Sequence, residues 1–138
     1  MAAAETEVLA ANEAFYAAFA ERDASAMDGL WAASAPVACI HPGWDVLVGR
    51  EEVMESWEAI LDNPTAPRIR CSRPSAQVLG DTAFVVCLEE VSGSELIATN
   101  VFTREEGKWK LVHHQAGPVA RRRETKPKRP ARSRDQLN

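Results

Sequence analysis

The chain has 138 residues, 46% of them hydrophobic, and a formal net charge of -4, which suffices for one compact domain with a real core and excludes two. No run approaches the ~20 apolar residues of a membrane span, and the Ala-rich start at residues 1–4 lacks the regions of a secretory signal, so a cytoplasmic location is expected. Three cysteines, Cys39, Cys71 and Cys87, lie in apolar segments; an odd number so placed suits reduced thiols better than a disulfide framework.

Helices come first. Val8, Asn12, Phe15 and Phe19, flanked by Leu9 and Tyr16, form one stripe of a first helix. Asp23 is placed to cap a second helix that buries Met27, Leu30 and Trp31, and Pro36 ends this part. Val37 to His41 reads as a strand that finishes in a titratable side chain, turned by Pro42-Gly43. After Gly49 the run Val53, Met54, Trp57, Ile60, Leu61 repeats at helical spacing, which gives a third helix to Asp62 that Asn63-Pro64 stops.

Strands follow. Residues 69–79 contain Pro74, which demands a bulge or an edge position, and Gly80-Asp81 is a two-residue hairpin signal. Residues 82–91, 95–104 and 108–116 continue the meander through turns at Ser92-Gly93-Ser94 and Glu105-Glu106-Gly107. Helices then strands indicate an α+β domain. Three helices cannot cover both faces of such a sheet, so a curved antiparallel sheet wrapped around them is expected, its outer face partly hidden by a second copy of the chain.

Charge is uneven. Residues 1–120 hold 18 acidic and 8 basic side chains, while 121–138 hold 2 and 8. With two prolines and little apolar content, the basic tail is expected to be disordered and solubilising, with at most weak attraction for nucleic acid. The domain is assigned to residues 1–120 and the tail to 121–138.

The order of elements, with His41-Pro42-Gly43-Trp44, Gly49-Arg50, Gly80-Asp81, Thr99-Asn100-Val101-Phe102 and residues 107–114 (GKWKLVHH), resembles the nuclear transport factor 2-like superfamily. Within it the chain is most similar to the SnoaL-like and ketosteroid-isomerase-like proteins. That resemblance implies a cone-shaped α+β fold and a pocket inside the cone. It puts His41 where the isomerases have their proton-shuttling aspartate and Asn100 where they have a hydrogen-bonding acid. Their first-helix tyrosine falls on Phe15; Tyr16 is adjacent, about 100° further around the helix.

Neutral His41 as base and the Asn100 amide as donor to a carbonyl oxygen would serve proton transfer next to a carbonyl. On the last strand the resemblance turns Val112, His114 and Ala116 inward and Trp109, Leu111 and His113 outward. Trp31, Trp57, Phe102 and Tyr16 are further candidates for the pocket wall, and Trp44 for a lid or an interface anchor. Opposite facing of His113 and His114 leaves no converging metal set with Cys39 and His41, so no metal and no cofactor are expected. The function expected is an isomerase, cyclase or dehydratase acting on a small carbonyl compound; the alternative is a non-catalytic dimeric binding or interaction module.

Overall fold

Nine alanines among 19 residues, with no glycine or proline, make residues Ala2–Ala20 a helix on propensity alone (α1). Its inward stripe is Val8, Asn12, Phe15, Tyr16 and Phe19, all buried. The helix closes in a Schellman motif: Asp23 N–H reaches Ala18 O at 2.9 Å and Arg22 N–H reaches Phe19 O at 3.1 Å. Arg22 takes the left-handed position usually given to glycine, with φ 55°. Its guanidinium donates to the carbonyls of Leu61, Asn63, Pro64 and Ala66, tying the end of α1 to the loop that leaves the third helix. Residues 2–120 are described in this computed structural model; the tail expected to be disordered lies outside them.

Asp23 caps α2 (Ala24–Leu30), accepting from Ala26 N–H at 3.0 Å. Trp31 has already left the helix with an extended backbone. The bare carbonyls at this helix end are met by Arg50, which donates to Trp31 O at 3.1 Å, Ala32 O at 2.9 Å and Asp28 O at 2.8 Å. Arg50 opens α3 (Arg50–Asp62) after Gly49, whose φ of 94° a side chain rarely tolerates. Thus the Gly49-Arg50 pair both starts one helix and finishes another.

The strands are β1 (Ala38–Ile40), β2 (Leu47–Val48), β3 (Ile69–Leu79), β4 (Thr82–Val91), β5 (Ser94–Glu105) and β6 (Lys108–Pro118). They form one unclosed sheet in the order β2-β1-β6-β5-β4-β3, curved around the helices. The four long strands form the expected antiparallel meander, and β1 joins it parallel to β6. A short β2, unforeseen in the sequence, pairs with β1, and His41 falls just beyond the strand it was expected to end. Pro74 has both features it demanded: β3 is an edge strand, and its register shifts between Ser72 and Ser75.

A second shift overturns the parity expected for the last strand. Val101 faces His113 but Phe102 faces Leu111, which leaves Val112 as an extra residue on β6. Trp109 and Leu111 therefore point into the core and are 7% and 0% exposed, while His114 and Ala116 also point inward beyond the bulge. Val112 is half-buried against the core rather than aligned on the inner face. The outer face is apolar through other residues: Phe84, Val86 and Leu88 alternate with buried Ala83, Val85 and Cys87 along β4, and Ile97 is 39% exposed on β5. Inside, Phe15, Trp31 and Phe102 are each 1% exposed; truncating any one to alanine costs about 3–5 kcal/mol.

Candidate functional site

His41 is fixed by its own turn. Trp44 N–H closes onto His41 O at 2.9 Å across Pro42 and Gly43, and Gly43 has the positive φ, 82°, that this turn needs at its third residue. The imidazole is 4% exposed. It sits between two indoles at edge-to-face angles, Trp44 at 4.8 Å and Trp57 at 4.7 Å between ring centres. Its Nε2 is 2.9 Å from Ser56 Oγ, and that hydroxyl donates its one proton to Val53 O at 2.7 Å. Ser56 must then accept from His41 Nε2–H, which leaves Nδ1 as the lone-pair nitrogen. The polar neighbour of Nδ1 is Cys39 Sγ at 4.0 Å.

Burial lowers the His41 pKa to about 4, so the ring is neutral at pH 7. The Cys39 thiol beside it is pushed up to about 12 by burial and then by Glu89. It stays protonated and is no nucleophile.

His114 lies 6.5 Å from His41, ring centre to ring centre, and is 3% exposed. It faces Asn100 across the β5–β6 pair, and its Nδ1 is 2.5 Å from Asn100 Oδ1. An amide oxygen can only accept, so His114 holds its proton on Nδ1. Asn100 Nδ2 donates to Asn12 Oδ1 at 2.8 Å and to Tyr16 Oη at 3.2 Å. Tyr16 Oη donates to Glu89 Oε2 at 2.6 Å, and Glu89 Oε2 is 3.9 Å from His114 Nε2. The four side chains close a ring inside the protein.

Burial sets the charge state of that ring. It raises the Glu89 pKa against the opposing pull of the Tyr16 hydrogen bond. It lowers His114 to about 3, with His41 and then His113 adding to the effect. Both shifts favour the uncharged forms, so burial works against an ion pair across the 3.9 Å contact. Tyr16 is raised by burial, then by Glu89 and Cys87, and stays a phenol.

Most of the site residues read from the sequence converge. Phe15 packs on Tyr16 at 4.8 Å, His114 at 5.0 Å and Trp57 at 5.5 Å, and Trp57 lies 6.0 Å from His114. Trp44 covers His41 from the loop side and is 48% exposed. Trp31 and Phe102 are core residues near Leu111: Trp31 bridges Leu111 by backbone and Phe102 pairs with it across the sheet. Val112, at the bulge, is not aligned with His114. Both hydrogens of the Asn100 amide already have acceptors inside the protein. Asp45 turns onto its neighbour, accepting from Val46 N–H at 2.7 Å.

Sequence reasoning missed Ser56, Glu89 and Asn12. Strand parity held a signal for Glu89, since Ala83, Val85 and Cys87 point inward and the next residue on that face is Glu89. Asn12 stood on the apolar stripe of α1, where a polar side chain requires a buried partner. Among the described residues no group of three His, Cys, Asp or Glu side chains converges as a metal site, and no helix is long and apolar enough to cross a membrane.

Comparison with known proteins places this geometry. A candidate dehydratase of the nuclear transport factor 2-like family from Streptomyces avermitilis is 35% identical, with a TM-score of 0.80 over 86% of this chain and 98% of that one. A candidate calcium/calmodulin-dependent protein kinase type II association domain from Thiobacillus denitrificans is 31% identical, with a TM-score of 0.71 over 80% and 94%. The F-box protein SKIP8 of Arabidopsis thaliana is 29% identical over 111 residues, 79% of this chain but 48% of that protein, so the chain spans about half the length of this relative. The SnoaL-like domain family matches residues 8–121, and the chain belongs to that family within the nuclear transport factor 2-like fold.

Proposed function

We propose that the domain binds a small carbonyl compound beside His41 and acts on it by acid-base chemistry of the isomerase, cyclase or dehydratase kind. The observation that carries this reading is the state of His41: neutral, held through Nε2 by Ser56, walled by two indoles, with the Nδ1 lone pair facing the Cys39 thiol and no oxygen or nitrogen among the described residues. Such a nitrogen accepts a proton from carbon or from water. Trp57 carries a buried Nε1–H without a partner among the described residues, a donor suited to a ligand oxygen. Asn100, its hydrogens engaged, serves in this reading to position His114. The candidate-dehydratase relative supports the same reaction class.

A second reading is favoured by one observation. Trp31, Trp57 and Phe102 fill the core and the Asn100 amide has no hydrogen to give, which suits a dimeric binding or interaction module without turnover. The association-domain and F-box relatives fit it. In either reading we infer a cytoplasmic homodimer that meets through the outer sheet face around Val86 and Leu88.

A thermal-shift screen of small carbonyl compounds on the wild type and His41→Ala, followed by NMR assay of each hit for conversion, separates the two. Conversion by the wild type and not by His41→Ala supports the enzyme. Hits that stabilise both chains and are never converted leave the binding module.

A further inference from the structure

Away from His41, a groove of about 940 Å³ runs between one flank of α1 and the first half of β3, ending at the β4–β5 hairpin. Its size lies within the range of small-molecule sites. Its walls are Leu9, Ala10, Ala17 and Ile69, and its floor is formed by Asn12, Tyr16 and Cys71. None of His41, Trp44 or Ser56 lines it. Asn100 and His114 stand between the groove floor and His41.

We propose that this groove is a second ligand site, for a neutral, mostly apolar small molecule that ends in a carbonyl oxygen. Two features fix that chemistry. The first is the floor. Asn12 is 1% exposed; its Oδ1 is taken by Asn100, and its Nδ2 reaches Cys71 Sγ at 3.7 Å. A thiol sulfur is a weak acceptor, so the amide hydrogen at the foot of the groove is poorly met. A ligand carbonyl oxygen meets it better.

The second is the charge around it. Glu13 and Glu90 oppose Arg68 and Arg70 along the rim, with Arg70 Nε 3.8 Å from Glu90 Oε1. The rim thus offers no net field to a charged head group. An anion at the floor would also lie beside the Tyr16–Glu89 pair and the sulfurs of Cys71 and Cys87, with no cation among them. Apolar walls, a balanced rim and one under-used buried donor select a neutral acceptor at the end of a hydrocarbon chain.

The test is an amide-resolved NMR titration of the full chain with octan-2-one, and separately with octanoate. Saturable shifts at Leu9, Ala10, Ile69, Arg70 and Gly93 are expected with the ketone. Octanoate should bind at least about tenfold more weakly. Ala17→Trp, which fills the groove from an exposed position on α1, should weaken ketone binding about tenfold or more, while His41→Ala should leave it within about twofold. Absence of saturable shifts, equal or tighter binding of octanoate, or binding lost in His41→Ala and retained in Ala17→Trp would each overturn the assignment. None of these results depends on whether the His41 site turns over a substrate.

Discussion

Replacing Glu89 with glutamine should make the protein more stable at neutral pH, although it alters a buried polar cluster. Glu89 is 2% exposed, and burial lifts its pKa above the ordinary 4.5. With a raised native value, its contribution to stability is fully present below about pH 4.5 and is lost as pH rises through the native pKa, because folding must then take up a proton. Each pH unit in that interval costs about 1.4 kcal/mol. Glutamine has no proton to take up. Its Oε1 can still accept from Tyr16 as the Glu89 carboxyl does. The variant should therefore match the wild type within about 1 kcal/mol near pH 4.5. It should gain about 1.4 kcal/mol on the wild type per pH unit until the native pKa is passed. At roughly 3–5 °C per kcal/mol for a domain of this size, melting scans at pH 5, 6, 7 and 8 resolve the trend. The histidines act alike in both chains and cancel in the difference. A difference that does not change with pH, or one that turns against glutamine as pH rises, would mean that burial does not raise the Glu89 pKa in the folded protein.

Removing the Trp44 indole in Trp44→Ala should let water reach His41 and raise its pKa from about 4 toward 6.5, read from the ring resonances in a pH titration; an unmoved value would show that Trp44 is not its cover. In the wild type the sign is the usual one for a depressed base: stability from neutral His41 and His114 is present above pH 6.5 and is lost as pH falls toward about 4 and 3. Arg22→Gly keeps the left-handed turn without strain and removes only the guanidinium, so a loss of about 1–2 kcal/mol in urea unfolding isolates its bonds to the α3 exit loop, and a gain would show that those bonds contribute nothing. Light scattering on a chain ending near Val119 should give a dimer, and Val86→Glu a monomer; a monomeric wild type would remove the outer sheet face as an interface.

The elements legible in the sequence are those whose signals are local. Asp23 as a cap, Gly49 before α3, Pro74 at an edge bulge and Gly80-Asp81 at a hairpin each act through their own backbone preference, and each stands where its chemistry demands. His41 was legible for the same reason, since Pro42-Gly43 fixes the turn that follows it. What the sequence hid depends on register. The shift at Val112 involves no glycine or proline, so nothing in residues 108–116 announces that the strand changes face. Glu89 stands beside Glu90, and two adjacent acids read as a solvated strand end, yet one faces water and the other closes a buried ring with Tyr16. The parallel pairing of β1 with β6 joins residues some 75 positions apart, which no local pattern encodes.

The extra residue at Val112 makes the length of β6 matter more than the side chain at that position. On one side of it Trp109 and Leu111 face the core, and on the other His114 and Ala116 do, so one strand carries two alternation patterns in opposite phase. Many side chains at residue 112 would preserve both phases. Deleting it would force a choice between them: either Trp109 and Leu111 turn out to water, or His114 leaves Asn100 and the ring opens. A single-residue gap here in a related chain is therefore a change of architecture, whereas a substitution at the same place is a matter of packing.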